Sequence, residues 1–203
     1  MNTWNTIATN EVLDKTVTAL QANGITAVVV EKGTDAKAKV LEMIPEKAEV
    51  MTMSSVTLDG LGISTELNDS GKYESVKAKL NTMDRKTQGL EMNKLGAAPD
   101  YAVGSVHAVT EDGKVVIASN TGSQMPGYVY GSSHVIWVVG AQKIVKNLDD
   151  AMKRIYEYVL PLESERLKKI YGVPSNVSKL LIINKEINSS RLTMIIVKEQ
   201  LGF

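Results

Sequence analysis

The chain has 203 residues, 43% of them hydrophobic, enough to bury roughly 70% of its unfolded surface without a disulfide or metal staple. Its 23 Lys+Arg balance 23 Asp+Glu, so no overall charge draws it to nucleic acid or to an anionic membrane. With no Cys and only His107 and His134, this chain excludes disulfides, thiol catalysis, a zinc or iron–sulfur centre on its own cysteines and a multi-histidine metal site.

The amino-terminal stretch, residues 1–12, has neither a basic segment nor an apolar run, so no signal peptide is expected and the cytoplasm is the default location. Trp4, Ile7, Val12, Leu13, Val17 and Leu20 recur at three- and four-residue steps and predict an amphipathic helix ending near Asn23-Gly24. Residues 25–30 form an apolar β-branched run of the kind buried in a parallel sheet. Thr34 is placed to cap a second helix through Ile44, which Pro45 stops, and residues 49–53 read as a second buried strand. That rhythm predicts a right-handed βαβ unit.

Between residues 56 and 98 the pattern weakens, with helices suggested around Tyr73, Val76 and Leu80 and again over 89–95. Residues 101–110 and 114–119 flank Asp112-Gly113, a strong hairpin dipeptide, so antiparallel pairing and a mixed sheet are expected. Residues 134–139 are another buried strand. Asn147, with Asp150 three residues on, opens a helix striped by Met152, Ile155 and Val159 that is expected to end at Pro161. A further helix over 162–171 stops at Gly172, and 179–184 and 192–198 are the last strands. No linker divides the chain, so one α/β domain of three layers with a mixed sheet is predicted over 1–203.

Ligands in open α/β sheets gather at the carboxyl ends of strands. Two segments leave such ends. Ser54 and Ser55 follow the second strand, as helix cap or as ligand donors. Asn120, Thr121, Gly122, Ser123 and Gln124 follow the 114–119 strand, where glycine lets backbone N–H groups approach an anion and the hydroxyls add donors. No Lys or Arg lies in either segment, so binding there rests on neutral donors unless a distant cation folds in. Glu111, at the hairpin turn, reads either as the partner of Lys114 or as a carboxylate nucleophile or base. A five-residue strand, ~17 Å, separates it from Asn120. His107 stands an even step before Glu111, which would put both on one strand face, and a structural histidine is the alternative. No metal and no cofactor are expected.

The run Val103-Gly104-Ser105-Val106-His107-Ala108-Val109-Thr110-Glu111-Asp112-Gly113, with Ala118-Ser119-Asn120-Thr121-Gly122-Ser123-Gln124 and Gln142-Lys143-Ile144-Val145-Lys146-Asn147-Leu148, resembles the LUD (lactate utilisation) domain family. The closing Glu199-Gln200-Leu201-Gly202-Phe203 resembles it too. The resemblance implies the NagB/RpiA/CoA-transferase-like fold, and it places Gly104 and Glu111 on positions of the family pattern, with Ser105-Val106 where Ala-Asp is commoner. It implies a protein of lactate or related organic-acid metabolism that binds a small anionic metabolite. The rival readings are a transferase or isomerase acting on a CoA ester or sugar phosphate, and a non-catalytic subunit beside an iron–sulfur protein partner. A homo-oligomer is the remaining partner expectation; nucleic acid and membrane are not expected.

Overall fold

A computed structural model describes residues 3–203; Met1 and Asn2, part of the amino-terminal stretch read above, lie outside it. After a 3-10 turn at Thr3–Asn5, helix α1 spans Asn10–Ala22. It begins later than the apolar spacing suggests because the Thr9 hydroxyl accepts the Val12 N–H at 3.3 Å and fixes the start. Strand β1 (Thr26–Val30), helix α2 (Gly33–Met43) and strand β2 (Glu49–Thr52) follow. Helix α2 starts at Lys32 rather than on a Thr34 cap, and Asp35 accepts the Lys32 N–H at 3.1 Å.

The weakly patterned stretch folds as short helices around a two-residue strand: α3 (Val56–Gly60), α4 (Ile63–Asp69), β3 (Glu74–Ser75), α5 (Val76–Asn81) and α6 (Arg85–Ala97). Side-chain caps from Ser55, Ser75 and Asp84 start three of them. Then come β4 (Tyr101–Gly104), β5 (Ala108–Thr110), β6 (Val115–Ser119), a π-turn at Gly127–Gly131, β7 (His134–Gly140) and β8 (Ile144–Val145). Helix α7 (Leu148–Arg154), a π-turn at Ile155–Val159 and helix α8 (Leu160–Tyr171) lead to β9 (Lys179–Ile183) and β10 (Leu192–Val197).

Two further predicted boundaries change. Pro161 does not end a helix: it sits in the first turn of α8, where its missing N–H is tolerated, and the π-turn before it carries the rod on from α7. Residues 101–110 are not one hairpin arm, because the chain leaves β4 at Gly104 and enters β5, in a different sheet, at Ala108.

The large sheet has the order β1-β10-β7-β4-β2-β3, every pair parallel. The antiparallel pairing belongs to a second sheet, β8-β5-β6-β9, in which β5 pairs parallel with β8. Strands β1 and β2 share the large sheet but are held apart by β10, β7 and β4, so their crossover is a long one.

Alternation along the central strands sorts side chains onto two faces. Val135, Trp137, Val139, Met194 and Ile196 pack under α1 and the second sheet. Ile136, Val138, Ile195 and Val197 pack against α2, α3 and α4. These are the three layers, and the outer face of the second sheet rests on Ala151 and Ile155 of the α7 rod. No helix among the described residues is long and apolar enough to cross a membrane.

One consequence places the site. From β2 the chain passes along the α3–α4 face to β3; from β4 it passes through the second sheet, on the other face, to β7. Neighbouring strands whose connections leave in opposite directions open a crevice at their carboxyl ends.

Candidate functional site

A cavity of about 370 Å³ occupies that crevice. Residues 53–55 after β2 and 105–107 after β4 form its base, residues 118–121 at the end of β6 one side, and Leu160, Glu163 and Arg166 of α8 a wall. Ser54, Ser55, Asn120, Thr121, Ser123 and Gln124 all line it.

The nearest thing to an anion hook is a residue outside both segments. Lys143 ends the 3-10 turn that follows β7, is 2% exposed, and reaches the cavity from below. Its Nζ donates to Thr57 Oγ1 at 3.2 Å, Ser105 Oγ at 3.1 Å and the Val106 carbonyl at 3.2 Å. No carboxylate pairs with it among the described residues. Burial first, and the Arg154 guanidinium second, bring its pKa down to about 7. Here a distant cation does fold in. The sequence signal it left was a lone lysine between Val138-Val139 and Ile144-Val145, inside a run destined for burial.

His107 lines the same cavity. Its Nδ1 accepts the Ala118 N–H at 3.1 Å, so the proton of the neutral ring resides on Nε2. Burial, then Lys143 and Arg154, hold the ring neutral with a pKa of about 3. It lies before β5, outside the regular strand, so the even-step pairing with Glu111 does not arise. Arg154 is fully buried: Nη1 donates to the His107 carbonyl at 2.5 Å, the guanidinium stacks over the Tyr158 ring at 5.3 Å, and Nε and Nη2 have no hydrogen-bond partner among the described residues. Arg154 and the protonated form of Lys143 thus stand near His107, and the low dielectric around them strengthens their attraction for an anion.

The 120–124 loop is organised differently from the expected anion nest. The Gly122 N–H is already held by Ser119 Oγ at 2.8 Å, and the Ser123 N–H by Thr121 Oγ1 at 3.3 Å. Gln124 closes back on the Ala118 carbonyl and on the Ser119 hydroxyl. With its amides spent internally, the loop offers side chains rather than backbone donors. Gly122 is needed for a turn at φ +86°, and it does not line the cavity.

Gly104 likewise lies behind the lining. A Cβ there would run into the hydroxyl of Tyr128, a buried ring that meets Trp137 edge-on at 5.4 Å. Glu111 stands away from the cavity, beyond the far end of β6. Its carboxylate takes Lys15 Nζ at 2.8 Å, whereas Lys114 pairs with Asp112; the hairpin turns Lys114 toward its own turn residue, so the expected Glu111–Lys114 pair is replaced. His134 is exposed and stacks on Tyr101 at 4.6 Å. No group of three or more metal-ligating residues occurs among the described residues.

A DUF162 family protein from Deinococcus radiodurans superposes with a TM-score of 0.59 at 11% identity, over 95% of this chain and 99% of that one, which shows a shared α/β fold. D-ribose-5-phosphate isomerase in complex with phospho-erythronic acid gives a TM-score of 0.37 at 15% identity, over 64% of this chain and 65% of that one. No curated protein matches. The family model of the LUD domain matches residues 13–200, from within α1 to beyond β10. Over that span, which includes every strand and every residue of the cavity but Phe203, the chain belongs to the LUD-domain family.

Proposed function

We propose that the cavity binds a small organic anion and that the protein serves lactate or related organic-acid metabolism through it. The observation that supports this reading most is Lys143, a buried amine at the cavity base with hydroxyl and carbonyl neighbours and no carboxylate partner among the described residues. A buried cation without a counter-ion is costly to keep, and an anionic ligand removes that cost. Around it, the Ser105 hydroxyl, the His107 ring and the Asn120 amide supply neutral donors to orient a carboxylate and its hydroxyl or keto neighbour. The Thr57 hydroxyl is committed to the Leu201 carbonyl at 3.1 Å, so it accepts from Lys143 and holds the ammonium in place.

The test is a titration of the protein with L-lactate and pyruvate, followed by amide chemical shifts and calorimetry, in wild type and in Lys143→Met. The expected result is saturable shifts at residues 105–107 and 118–124, and a loss of affinity of more than about ten-fold in the variant. Binding that Lys143→Met leaves unchanged, or shifts confined to another face, would overturn the reading.

A further inference from the structure

The charges that line the cavity point beyond a monoanion. Three cationic side chains face it, Lys77, Lys143 and Arg166, against one acidic side chain, Glu163. Arg166 is already spoken for: its Nε and Nη2 grip the two Glu163 oxygens at 2.7 and 2.8 Å, the bidentate fork that neutralises a guanidinium best. Two lysines remain, and neither has a carboxylate partner among the described residues.

They occupy different parts of the cavity. Lys143 Nζ is pinned by Ser105, Val106 and Thr57, between the ends of β2 and β4, and is buried. Lys77 hangs from α5, directly after edge strand β3 and on the far side of β2 from β4, and is half-buried. From the gap between β2 and β4 that holds the Lys143 ammonium to β3, which leads into Lys77, is one and a half strand spacings, ~7 Å at the usual inter-strand distance. Three-carbon acids also underfill the space: at ~30 Å³ per water, lactate has roughly the bulk of three or four waters, a third of the cavity or less.

Resting on the binding reading above, we infer that the natural ligand is an organic acid with two separated anionic groups, the inner one on Lys143 and the outer one on Lys77. The second group would meet an ammonium whose exposure is incomplete, where a charge pair is worth more than at an open surface.

L-Lactate, L-malate and 2-hydroxyglutarate share the 2-hydroxy-acid head and differ in whether a second carboxylate is present and how far away it sits. They are titrated calorimetrically at one pH and one ionic strength into wild type, Lys77→Ala and Lys143→Met. The expected result is that one of the two dianions binds wild type about ten-fold tighter than lactate. Lys77→Ala should erase that advantage, lowering dianion affinity far more than lactate affinity, and Lys143→Met should weaken all three acids. Equal affinity for mono- and dianions in wild type, or a dianion advantage that survives Lys77→Ala, overturns the two-anion ligand while the binding reading stands. Failure of every acid to bind wild type overturns both.

Discussion

Replacing Lys143 by Met keeps most of the side chain's volume and removes its proton, and the effect should be read as a slope rather than as a single stability. The ammonium has a pKa of about 7 in the folded protein against an ordinary 10.5. Between those values the unfolded chain holds a proton that the folded one has released. Stability therefore rises with pH across that window, by about 1.4 kcal/mol per unit for one proton. Below pH 7 both states are protonated and the fold carries the whole cost; above 10.5 both are neutral and the cost is gone. From pH 7.5 to 9.5 the gain should be about 3 kcal/mol.

That window is clean. His107, whose pKa lies at about 3, has finished titrating below it, and Arg154, brought down to about 10 by burial, releases only about a quarter of a proton by pH 9.5, in wild type and variant alike. The assay is urea unfolding at fixed ionic strength at pH 7.5, 8.5 and 9.5 for wild type and Lys143→Met. The lost bonds to Thr57, Ser105 and Val106 lower the variant by an amount that does not depend on pH, so the difference of slopes isolates the proton. Wild type should steepen by about 3 kcal/mol relative to the variant over the two units. Parallel slopes would refute the argument that Lys143 is a desolvated cation in the folded protein.

Two other substitutions probe the framework. Gly104→Ala drives a methyl into the Tyr128 hydroxyl and should cost about 1–3 kcal/mol in chemical unfolding, with weakened ligand binding because Tyr128 lines the cavity. Glu111→Gln removes the partner of an exposed lysine on the wrong side of the second sheet, and calorimetric ligand affinity should not change.

What the sequence made legible, and what it did not, divides along the range of the interactions. The β-branched runs at β7 and β10 declare themselves, because a strand buried on both faces needs apolar residues at nearly every position, and the half-buried edge strand β1 carries a similar run. The Asn147–Asp150 start of α7 is also local: the Asn147 side chain accepts the Asp150 N–H at 3.0 Å. Ser54, Ser55 and the 120–124 loop could be placed at the cavity because strand ends are readable and ligands collect there. Sheet membership is not local, so 101–110 looked like one arm of a hairpin although β4 and β5 belong to different sheets. Lys143 was hidden for the same reason. Its neighbours Thr57 and Ser105 lie 86 and 38 residues away, and nothing in the adjacent sequence says that they will meet. The loop's amides failed as an anion nest through a detail no composition reveals, the inward turn of the Ser119 hydroxyl.

The π-turn at Ile155–Val159 makes two helices share one axis out of phase. A helix advances about 100° per residue, and a π-turn holds one residue more than an α-turn, so everything after it is rotated by that amount relative to an uninterrupted rod. Before the turn, Ala151 faces the second sheet; after it, Leu160, Glu163 and Arg166 face the ligand cavity. The extra residue thus acts as a gearing between structural and functional halves of a single rod, and dropping Tyr156 or Glu157, which do not line the cavity, would swing its wall away without removing a residue of it.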